Sequence, residues 1–240
     1  MCFCPVCGAV FDDFVAGGVG GARPRAACPR CGCWERHRFV GLLIDQLAPV
    51  LAAARLVLHV GPEPALTTLL RRDAGDAYLS CDFDPAADGR DVSMQADLTC
   101  LPLPDSSVDV LVCLQVLEHI PDDAAAMREI GRVLSPGGLA IVNVPYRDDA
   151  LTDEDPSAPE AERVRRFGQA DHVRFYGVDF NDRLAAADLG QVHATGPELL
   201  GAELSHRLGL HPPEVFWFVW KGAARHAPGL PRFTALRALS

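Results

Sequence analysis

The amino-acid sequence predicts an α/β protein with a doubly wound, mostly parallel sheet, preceded by a small metal-binding module. Two observations predict this. From residue 55 onward, short apolar segments alternate with helical patterns, as expected for parallel strands joined by helices. Ahead of them stand two Cys-x-x-Cys pairs. With 240 residues, of which 49% are hydrophobic, the chain is long enough for one such domain and a small appendage.

The two cysteine pairs are separated by a glycine-rich stretch of 20 residues. Two residues between cysteines let one tight turn direct both sulfurs at a single metal ion, and the glycine after each pair suits the bend beneath them. We therefore predict a structural Zn²⁺ site with four thiolates and no open position. The predicted ligands are Cys4, Cys7, Cys28 and Cys31, with Cys2 and Cys33 nearby in sequence.

A connecting helix and a series of strands are predicted after this module. Apolar residues recur at helical spacing over residues 35–54, where Pro49 is expected to bend or end the helix. The continuous apolar run at 108–114 is typical of a strand buried on both faces. The predicted strands are residues 55–60, 77–81, 91–96, 108–114 and 139–144. The helices predicted between and after them are residues 65–72, 122–134 and 182–189, and residues 135–138 form a turn.

The alternation of strands and helices stops after residue 144. Residues 147–181 are rich in Asp, Glu, Pro, Arg and His, which predicts a long loop or lid. Residues 214–220 are apolar on both alternating faces, so we expect a strand inserted within the sheet rather than at its edge. The last 20 residues carry no clear signal and are predicted to be a loosely docked tail.

Two aspartates follow directly on predicted strands, where doubly wound sheets bind their ligands. An acidic residue at the end of the second strand typically accepts hydrogen bonds from ribose hydroxyls, and Asp82 has that position. Asp97, followed by Leu98, suits recognition of an adenine amino group and ring. Either aspartate alone could be an ordinary turn residue. Their matching positions at two strand ends favour a nucleotide site.

Composition excludes several classes of protein. Nine cysteines without a recognisable leader indicate a reducing environment, and we expect a cytoplasmic protein. No uncharged run approaches 18 residues, so no membrane-spanning segment is expected. The net charge of −10 disfavours a large nucleic-acid footprint. Residues 14–40 nevertheless hold five arginines against one glutamate, which predicts either a solvated surface or a docking patch for an anionic substrate.

The central part of the chain resembles class I S-adenosylmethionine-dependent methyltransferases of the type 11 group. The resemblance rests on ADLTCLPLPDSSVDVLVCLQVLEHIPD and MREIGRVLSPGGLAIVNVP, which contain the V-L-E-H segment and the L-x-P-G-G turn. It covers roughly residues 55–221 and implies a Rossmann-like sheet of seven strands. The cysteine pairs and the FGQADHVRFYG stretch are also similar to a bacterial subgroup with a zinc-binding head.

The resemblance implies an S-adenosylmethionine site at the strand ends. Asp82 would bind the ribose and Asp97 the adenine, while Leu114 and Gln115 would line the methionine part. Glu118 and His119 would open the next helix beside the active cavity.

The first glycine-rich loop departs from the family pattern. The family usually has an acidic residue followed by three spaced glycines, whereas this chain has HVGPEPA at residues 59–65. His59 stands at the acidic position, and only Gly61 remains of the glycines. We expect Glu63 to replace the missing carboxylate against the methionine ammonium group. Loss of cofactor binding is the competing interpretation of this change.

Methyl transfer requires alignment of the acceptor with the methyl group, and a general base if the acceptor carries a proton. By residue type, the candidate catalytic bases are His172, Tyr176 and His119. Arg174 and Tyr146 are candidates for substrate binding, Arg174 through a bidentate contact with a carboxylate or phosphate. The alternative is a packed loop in which His172 bonds structurally to Asp171.

We therefore predict a cytoplasmic S-adenosylmethionine-dependent methyltransferase that acts on a small molecule and carries a structural zinc. One alternative is a zinc-headed methyltransferase of ribosomal or transfer RNA. The other is a non-catalytic binding protein that kept the fold. The predicted organisation is a zinc module at 1–34, a connecting helix at 35–54, the methyltransferase domain at 55–221 and a tail at 222–240.

Overall fold

The computed structural model describes residues 1–86, 90–210 and 214–222. Its first 34 residues form two short antiparallel hairpins that frame the cysteine pairs. The first cysteine pair begins at the end of the first strand, and the second pair follows the fourth strand. The four strands are β1 (Cys2–Cys4) with β2 (Ala9–Phe11), and β3 (Val15–Gly17) with β4 (Arg23–Ala27).

Helix α1 (Glu35–Ala53) joins these hairpins to the rest of the chain. It continues through Pro49 to Ala53, close to the predicted 35–54, so Pro49 does not end the helix, and a bend at Pro49 stays a prediction. Arg38 on this helix is fully buried and donates hydrogen bonds to the carbonyls of Ala26 at 2.9 Å and Leu208 at 2.6 Å. A buried guanidinium with this many carbonyl partners fixes the hairpins against the helix.

A seven-stranded sheet forms the centre of the molecule, with the strand order β12-β13-β9-β8-β5-β6-β7. The five strands from β9 to β7 in this order pair in parallel, whereas β13 is antiparallel to both β9 and β12. This mixed sheet confirms the predicted Rossmann-like fold. The strands are β5 (Val57–Val60), β6 (Tyr78–Asp82), β7 (Met94–Gln95), β8 (Val108–Leu114), β9 (Leu134–Asn143), β12 (Leu189–Thr195) and β13 (Val215–Lys221).

Helices cover both faces of the sheet, as a doubly wound fold requires. Residues of α1 and α2 pack with Val110 and Val112 on one face. Residues of α3 and α5 pack with Leu111 and Cys113 on the other. Burial on both faces explains why β8 is apolar at every position except the half-buried Asp109 near its start. The helices after α1 are α2 (Pro64–Ala74), α3 (Asp123–Val133), α4 (Glu160–Phe167), α5 (Phe180–Ala186), α6 (Gly196–Leu200) and α7 (Ala202–Arg207).

The strand order reverses direction between β5 and β8. The chain passes from β5 outward to β6 and β7, then returns to place β8 on the other side of β5. At such a point the connections diverge to opposite faces and leave a crevice at the carboxyl ends of the two strands. Gly61 follows β5 and Gln115 follows β8, so both residues lie at this crevice.

Most predicted elements are present, with differences near the end of the chain. The strand predicted at residues 214–220 lies inside the sheet, between β9 and β12, as expected. The helix predicted for residues 182–189 begins earlier, at Phe180, and Leu189 already starts β12, a strand that was not predicted. Residues 135–138 fall within β9. The pairing of β9 with β8 nevertheless jumps from Leu134 to Leu139, so residues 135–138 are not paired with β8, as expected for the predicted turn.

The segment predicted as a loop or lid contains regular structure. Besides α4, it holds a short antiparallel pair, β10 (Asp153–Glu154) and β11 (Arg174–Phe175). The boundaries proposed for the domains stay predictions, and residues 223–240 of the expected tail lie outside the described part of the chain. Among the helices of the described residues, none has the length and hydropathy that a bilayer crossing requires.

Candidate functional site

Gly61 lies in the turn directly after β5, at the edge of the crevice. Its φ is +59°, a conformation that L side chains rarely adopt, and a Cβ there would lie 2.8 Å from Val116 Cγ2. The Gly61 N–H donates to the carbonyl of Cys81 at 2.9 Å, which fixes the turn after β5. The one glycine kept from the family pattern therefore stands where a side chain would not fit.

The two strand-end aspartates have different surroundings. Asp82 is buried, and one of its carboxylate oxygens pairs with the Arg90 guanidinium while the other accepts the Asp84 N–H at 2.9 Å. Asp97 is exposed, and its Oδ1 accepts both the N–H and the hydroxyl of Thr99 at 2.8 Å. Asp97 thus makes the ordinary turn contacts that were considered for it, and its predicted role with adenine stays a prediction.

Glu63 lies in a buried polar cluster that joins α1 to the loop after β5. Its Oε2 lies 3.0 Å from His59 Nε2, and its Oε1 lies 3.6 Å from His37 Nε2 and 3.8 Å from Arg36 Nε. Burial raises the pKa of Glu63, but the polar contacts with His37 and His59 outweigh it and bring the pKa to about 2. The carboxylate is therefore ionised, and its Oε1 has no hydrogen-bond partner among the described residues.

Residues at the end of β8 extend the crevice. Gln115 has a φ of 53°, its N–H donates to the Asn143 carbonyl at 2.7 Å, and its side-chain amide contacts Asn143 Oδ1 at 2.8 Å. These bonds hold the ends of β8 and β9 together. Leu114 and Leu98 are both buried. The parallel pairing of β5 with β8 brings Leu114 and Gln115 beside Gly61, and their roles with the methionine part of the cofactor stay predictions.

Glu118 and His172 face each other in the interior near the crevice. Glu118 follows β8 in a 3₁₀ turn (Leu117–His119) rather than opening the next helix, which begins at Asp123. Its Oε1 lies 4.0 Å from His172 Nε2, and neither atom has a hydrogen-bond partner among the described residues. Burial raises the pKa of Glu118 to about 8, although the positive charge of Arg36 acts to lower it.

The two candidate histidines are neighbours. The His119 and His172 rings lie 4.7 Å apart between centroids at an angle of 86°. His119 Nδ1 contacts Asp171 Oδ2 at 3.2 Å, and His172 Nδ1 contacts the Phe167 carbonyl at 3.0 Å. Burial lowers the pKa of His172, and the nearby His119 adds to the effect. In the alternative of a packed loop, His172 was to bond Asp171; in the structure it is His119 that lies beside Asp171.

Arg174 and Tyr176 point into the protein rather than into the crevice. Arg174 is buried, and its guanidinium donates to the carbonyls of Leu117 at 3.0 Å and Pro121 at 2.9 Å and to that of Ile120. The Tyr176 hydroxyl donates to Asp123 Oδ2 at 2.9 Å, and burial raises its pKa well above the usual value. Their predicted substrate and base roles stay predictions, but these contacts favour a role in holding the turn that carries Glu118.

Tyr146 lies just past β9 on the same edge of the sheet. It is half-buried, and its ring packs against Trp217 at 5.0 Å between centroids. Its backbone forms an isolated bridge with Tyr176, which links the end of β9 to the segment that carries His172. The substrate-binding role of Tyr146 stays a prediction.

The cysteines of the head form a cluster with the dimensions of a metal site. Cys4 Sγ lies 3.8 Å from Cys31 Sγ, and Cys7 Sγ lies 3.8 Å from Cys28 Sγ. A tetrahedral zinc with bonds of about 2.3 Å separates its sulfurs by roughly 3.8 Å. Cys33 also joins the cluster, since its sulfur lies 3.4 Å from Cys4 Sγ. The four sulfurs within 4.8 Å of one another are those of Cys4, Cys28, Cys31 and Cys33.

Backbone N–H groups face the sulfurs of all four predicted ligands. In each pair the N–H of the second cysteine faces the first sulfur, from Cys7 to Cys4 and from Cys31 to Cys28. The Cys7 sulfur accepts a hydrogen bond from the N–H of Ala9, and the Cys31 sulfur accepts one from the N–H of Cys33. Such donors stabilise thiolates. The two Cys-x-x-Cys turns therefore have the same pattern of backbone hydrogen bonds, which favours the predicted set of four zinc ligands.

The basic stretch at residues 14–40 is largely engaged within the protein. Arg25 pairs with Asp13 at 2.6 Å, and Arg23 contacts Glu35 and Glu214 at 3.1 Å each. Arg36 faces Glu63, and Arg38 is buried. Four of the five arginines thus have acidic or carbonyl neighbours within the chain, and both interpretations of the stretch, a solvated surface or a docking patch, stay predictions.

Sequence reasoning did not assign three residues of this site. Arg36 and His37 come from α1 and reach Glu63 only because that helix packs beside the loop after β5. Glu118 was expected near the cavity but without a function. The one sequence signal for it is an acidic residue beside a histidine directly after an apolar strand.

Comparison with known proteins agrees with this geometry. A methyltransferase-domain family profile matches residues 44–142. A probable S-adenosylmethionine-dependent methyltransferase of Mycobacterium tuberculosis is 38% identical over 121 residues, which cover 48% of this chain and 43% of that protein. This chain therefore spans less than half the length of that relative. The [4+2]-cyclase SpnF superposes with a TM-score of 0.54 at 17% identity over 91% of both chains, which supports the fold alone.

A longer match decides the family. An uncharacterized methyltransferase of Mycolicibacterium paratuberculosis is 36% identical over 192 residues, which cover 69% of this chain and 75% of that protein. The match extends well beyond the residues of the family profile. The chain therefore belongs to the S-adenosylmethionine-dependent methyltransferase family.

Proposed function

We propose that this chain transfers the methyl group of S-adenosylmethionine to a small-molecule acceptor at the carboxyl ends of β5 and β8. The observation that carries this proposal is the convergence of three features at one crevice. Gly61 admits close approach of a ligand, Asp82 presents a buried carboxylate at the next strand end, and the buried Glu118 lies past the end of β8. Cofactor and acceptor sites that adjoin one another are what a transfer reaction needs.

The nucleoside part of the cofactor is assigned to the two strand-end aspartates. The Asp82 carboxylate would accept hydrogen bonds from the ribose hydroxyls. Because Arg90 pairs with this carboxylate, the guanidinium would have to share or release it when the hydroxyls bind. Asp97 and the buried Leu98 would contact the adenine, with one Asp97 oxygen already engaged by Thr99.

The methionine part is assigned to the Glu63 cluster and to the end of β8. Glu63 Oε1 is ionised, buried and free of hydrogen-bond donors among the described residues, as an acceptor for the methionine ammonium group should be. Arg36 and His37, which lie 3.8 Å and 3.6 Å from the same Oε1, would offer positive charge or donors to the methionine carboxylate. The loop with two prolines thus fits the cofactor through side chains rather than through additional glycines.

S-adenosylmethionine supplies an electrophilic methyl carbon, and attack by the acceptor's lone pair breaks the sulfur–methyl bond to leave S-adenosylhomocysteine. The chain must orient the acceptor in line with that bond and remove its proton if it has one. We assign activation of the acceptor to Glu118, His119 and His172, which lie together past the end of β8. Arg174 and Tyr176 would act on them indirectly, as positioning residues.

We propose that the head holds one structural zinc through Cys4, Cys7, Cys28 and Cys31. Sulfur separations of 3.8 Å fit a tetrahedral site, and the paired backbone hydrogen bonds fit two equivalent turns. Four thiolates leave no position for water or substrate. The zinc would therefore hold the hairpins, and through Arg38 the start of α1, in place.

A small molecule is favoured over RNA as the acceptor. The net charge is −10, and most arginines of the basic stretch have acidic or carbonyl partners inside the protein. RNA binding relies on free positive charges along the phosphate backbone. A gel shift with bulk RNA at low salt tests this choice, because retarded RNA at micromolar protein would favour the RNA methyltransferase.

Calorimetry with S-adenosylmethionine and S-adenosylhomocysteine tests the cofactor site. We expect both to bind the purified protein, and Asp82→Asn to weaken both, with the exposed Asp76→Asn as the matched control. If the unmodified protein binds neither compound, the non-catalytic interpretation replaces this proposal. Methyl transfer from labelled cofactor to a panel of small acceptors then identifies the acceptor class.

A further inference from the structure

Glu118, His119 and His172 bring three potential ligand atoms within 4.8 Å of one another. Glu118 and His172 are both almost completely buried. Neither oxygen of Glu118 has a hydrogen-bond partner among the described residues, and the same is true of His172 Nε2. A buried carboxyl group without a hydrogen-bond partner is costly, and here it faces the unpartnered nitrogen of an imidazole.

A hydrogen bond on the far side of the His172 ring determines which of its nitrogens faces the cluster. His172 Nδ1 lies 3.0 Å from the Phe167 carbonyl, which can only accept, so Nδ1 carries the proton and Nε2 presents a lone pair. His119 Nδ1 lies 3.2 Å from Asp171 Oδ2, a carboxylate oxygen that can accept from it. Protein ligands of metal ions show this arrangement, in which the second ring nitrogen donates to a carbonyl or a carboxylate.

We propose that Glu118, His119 and His172 bind one divalent first-row transition metal ion, separate from the zinc of the head. Two imidazoles and one carboxylate match the ligands of Zn²⁺ and Fe²⁺ sites that keep open coordination positions. A cation would provide both the unpartnered Glu118 oxygens and the lone pair of His172 with a partner. Cysteine does not contribute, which distinguishes this site from the thiolate cluster.

To bind a metal ion, the ligand atoms would have to move slightly closer together, and the turn that carries them would have to be rigid. Ligand atoms about 2.0–2.1 Å from a tetrahedral ion lie roughly 3.3 Å apart, whereas Glu118 Oε1 and His172 Nε2 are separated by 4.0 Å. The turn that carries Glu118 is held by Arg174 through three carbonyls, and Val173 N–H donates to the Glu118 carbonyl at 2.9 Å. The side chain of His119 is 34% exposed, so an acceptor could enter from that side.

This inference deepens the proposed function. Only the catalytic role of the metal ion rests on that function, whereas metal binding itself does not. An acceptor hydroxyl or thiol that binds an open position would lose its proton to solvent more readily, because the cation stabilises the anion. That anion would then attack the methyl carbon. The three residues would activate the acceptor through the metal rather than as free bases.

The test uses Co²⁺ added to the full chain after its head has been loaded with one equivalent of Zn²⁺. We expect one further equivalent to bind and to give visible d–d absorption without thiolate-to-cobalt charge transfer, since no sulfur is a ligand. Glu118→Gln, His119→Ala and His172→Ala should each weaken Co²⁺ binding at least tenfold. Asp171→Asn should weaken it by about 10–100-fold through the His119 ring. The exposed His193→Ala is the matched control and should change nothing.

Other results would contradict the proposed metal site. If no second equivalent binds, or if its spectrum shows sulfur ligation, Glu118 is better described as a protonated acid that donates to His172. The same conclusion holds if Co²⁺ binding is unaffected by His119→Ala. The His119 side chain is partly exposed, so we expect this variant to keep the fold. Cofactor binding is measured separately by calorimetry. Failure to bind S-adenosylmethionine would contradict the proposed function, while the Co²⁺ result would still decide the metal site.

Discussion

His59 Nε2 lies 3.0 Å from Glu63 Oε2, across the loop that stands where related enzymes carry several glycines. The other nitrogen of His59 contacts the Tyr78 hydroxyl at 3.1 Å, so a buried chain of hydrogen bonds runs from β6 to the start of α2. Two prolines restrict this loop, and the side-chain bonds fix its ends. The altered loop is therefore an ordered structure with a buried carboxylate at its centre.

Glu63→Gln should destabilise the protein in a pH-dependent way. The pKa of Glu63 in the folded chain, about 2, lies below its ordinary value of 4.5. A depressed carboxyl pKa stabilises the fold above pH 4.5, and this contribution is lost as the pH falls toward 2. We expect a loss of about 2–3 kcal/mol at pH 7. Urea unfolding at pH 7, 5 and 3.5 measures it, with the exposed Glu160→Gln as the control. A difference that stays constant with pH would contradict this account.

Asp82→Ala and Asp97→Ala should each weaken S-adenosylmethionine binding, and Asp82 should have the larger effect. A lost hydrogen bond to a charged group costs about 1.5–3 kcal/mol, or roughly tenfold or more in affinity. Asp82 is buried at its strand end, whereas Asp97 is exposed and shares one oxygen with Thr99. Calorimetry with Asp76→Ala as the control measures both losses. Unchanged affinity in Asp82→Ala would remove the ribose assignment.

The fold was predictable because its determinants are local. The uninterrupted apolar run at Val108–Leu114 indicates a strand covered on both faces, and the structure gives it those bounds. Strand β12 was missed because it lies at the edge of the sheet, where residues such as Val192 and His193 are exposed and the apolar pattern is weak. Pro49 was given too much weight, because packing of the rest of α1 keeps the helix intact beyond it.

The site was predictable only where the topology alone positions a residue. Gly61, Asp82 and Gln115 follow from their places at strand ends. Arg36 and His37 do not, because their contact with Glu63 depends on how α1 packs across the sheet. The directions of Arg174 and Tyr176 were also hidden from the sequence. A polar loop residue looks the same whether it faces a ligand or satisfies buried carbonyls, and here both residues support the turn at Leu117–His119.

Cys7→Ser and Cys33→Ser should separate the two possible zinc ligand sets. If the backbone hydrogen bonds identify the ligands, Cys7→Ser loses the metal or the fold of the head, while Cys33→Ser keeps about one zinc per chain. Metal analysis of the purified variants, alongside Cys100→Ser as an exposed control outside the head, measures this. The reverse result would show that Cys33 is the fourth ligand, as the tighter grouping of the sulfurs suggests. Zinc-free protein with an intact head would contradict both sets.

Tyr176→Phe should distinguish a positioning residue from a catalytic base. The Tyr176 hydroxyl donates to Asp123 and lies 3.3 Å from the Leu117 carbonyl, at the base of the turn that carries Glu118. Removing it should cost about 1 kcal/mol of stability, since a buried hydrogen bond is lost without a change of shape. Turnover should fall only a few-fold, because the turn loosens while no reacting group disappears.

The comparison is with His172→Ala, which removes a group assigned to acceptor activation. It should lower turnover by about 10²–10⁴-fold while the affinity for S-adenosylmethionine stays nearly unchanged. Thermal unfolding, calorimetry and turnover on an acceptor found by screening provide the three measurements for each variant. If Tyr176→Phe instead loses as much turnover as His172→Ala with no loss of stability, the phenol itself takes part in proton transfer. Its hydroxyl would then have to leave Asp123 during the reaction, because in this structure it is buried and directed away from the crevice.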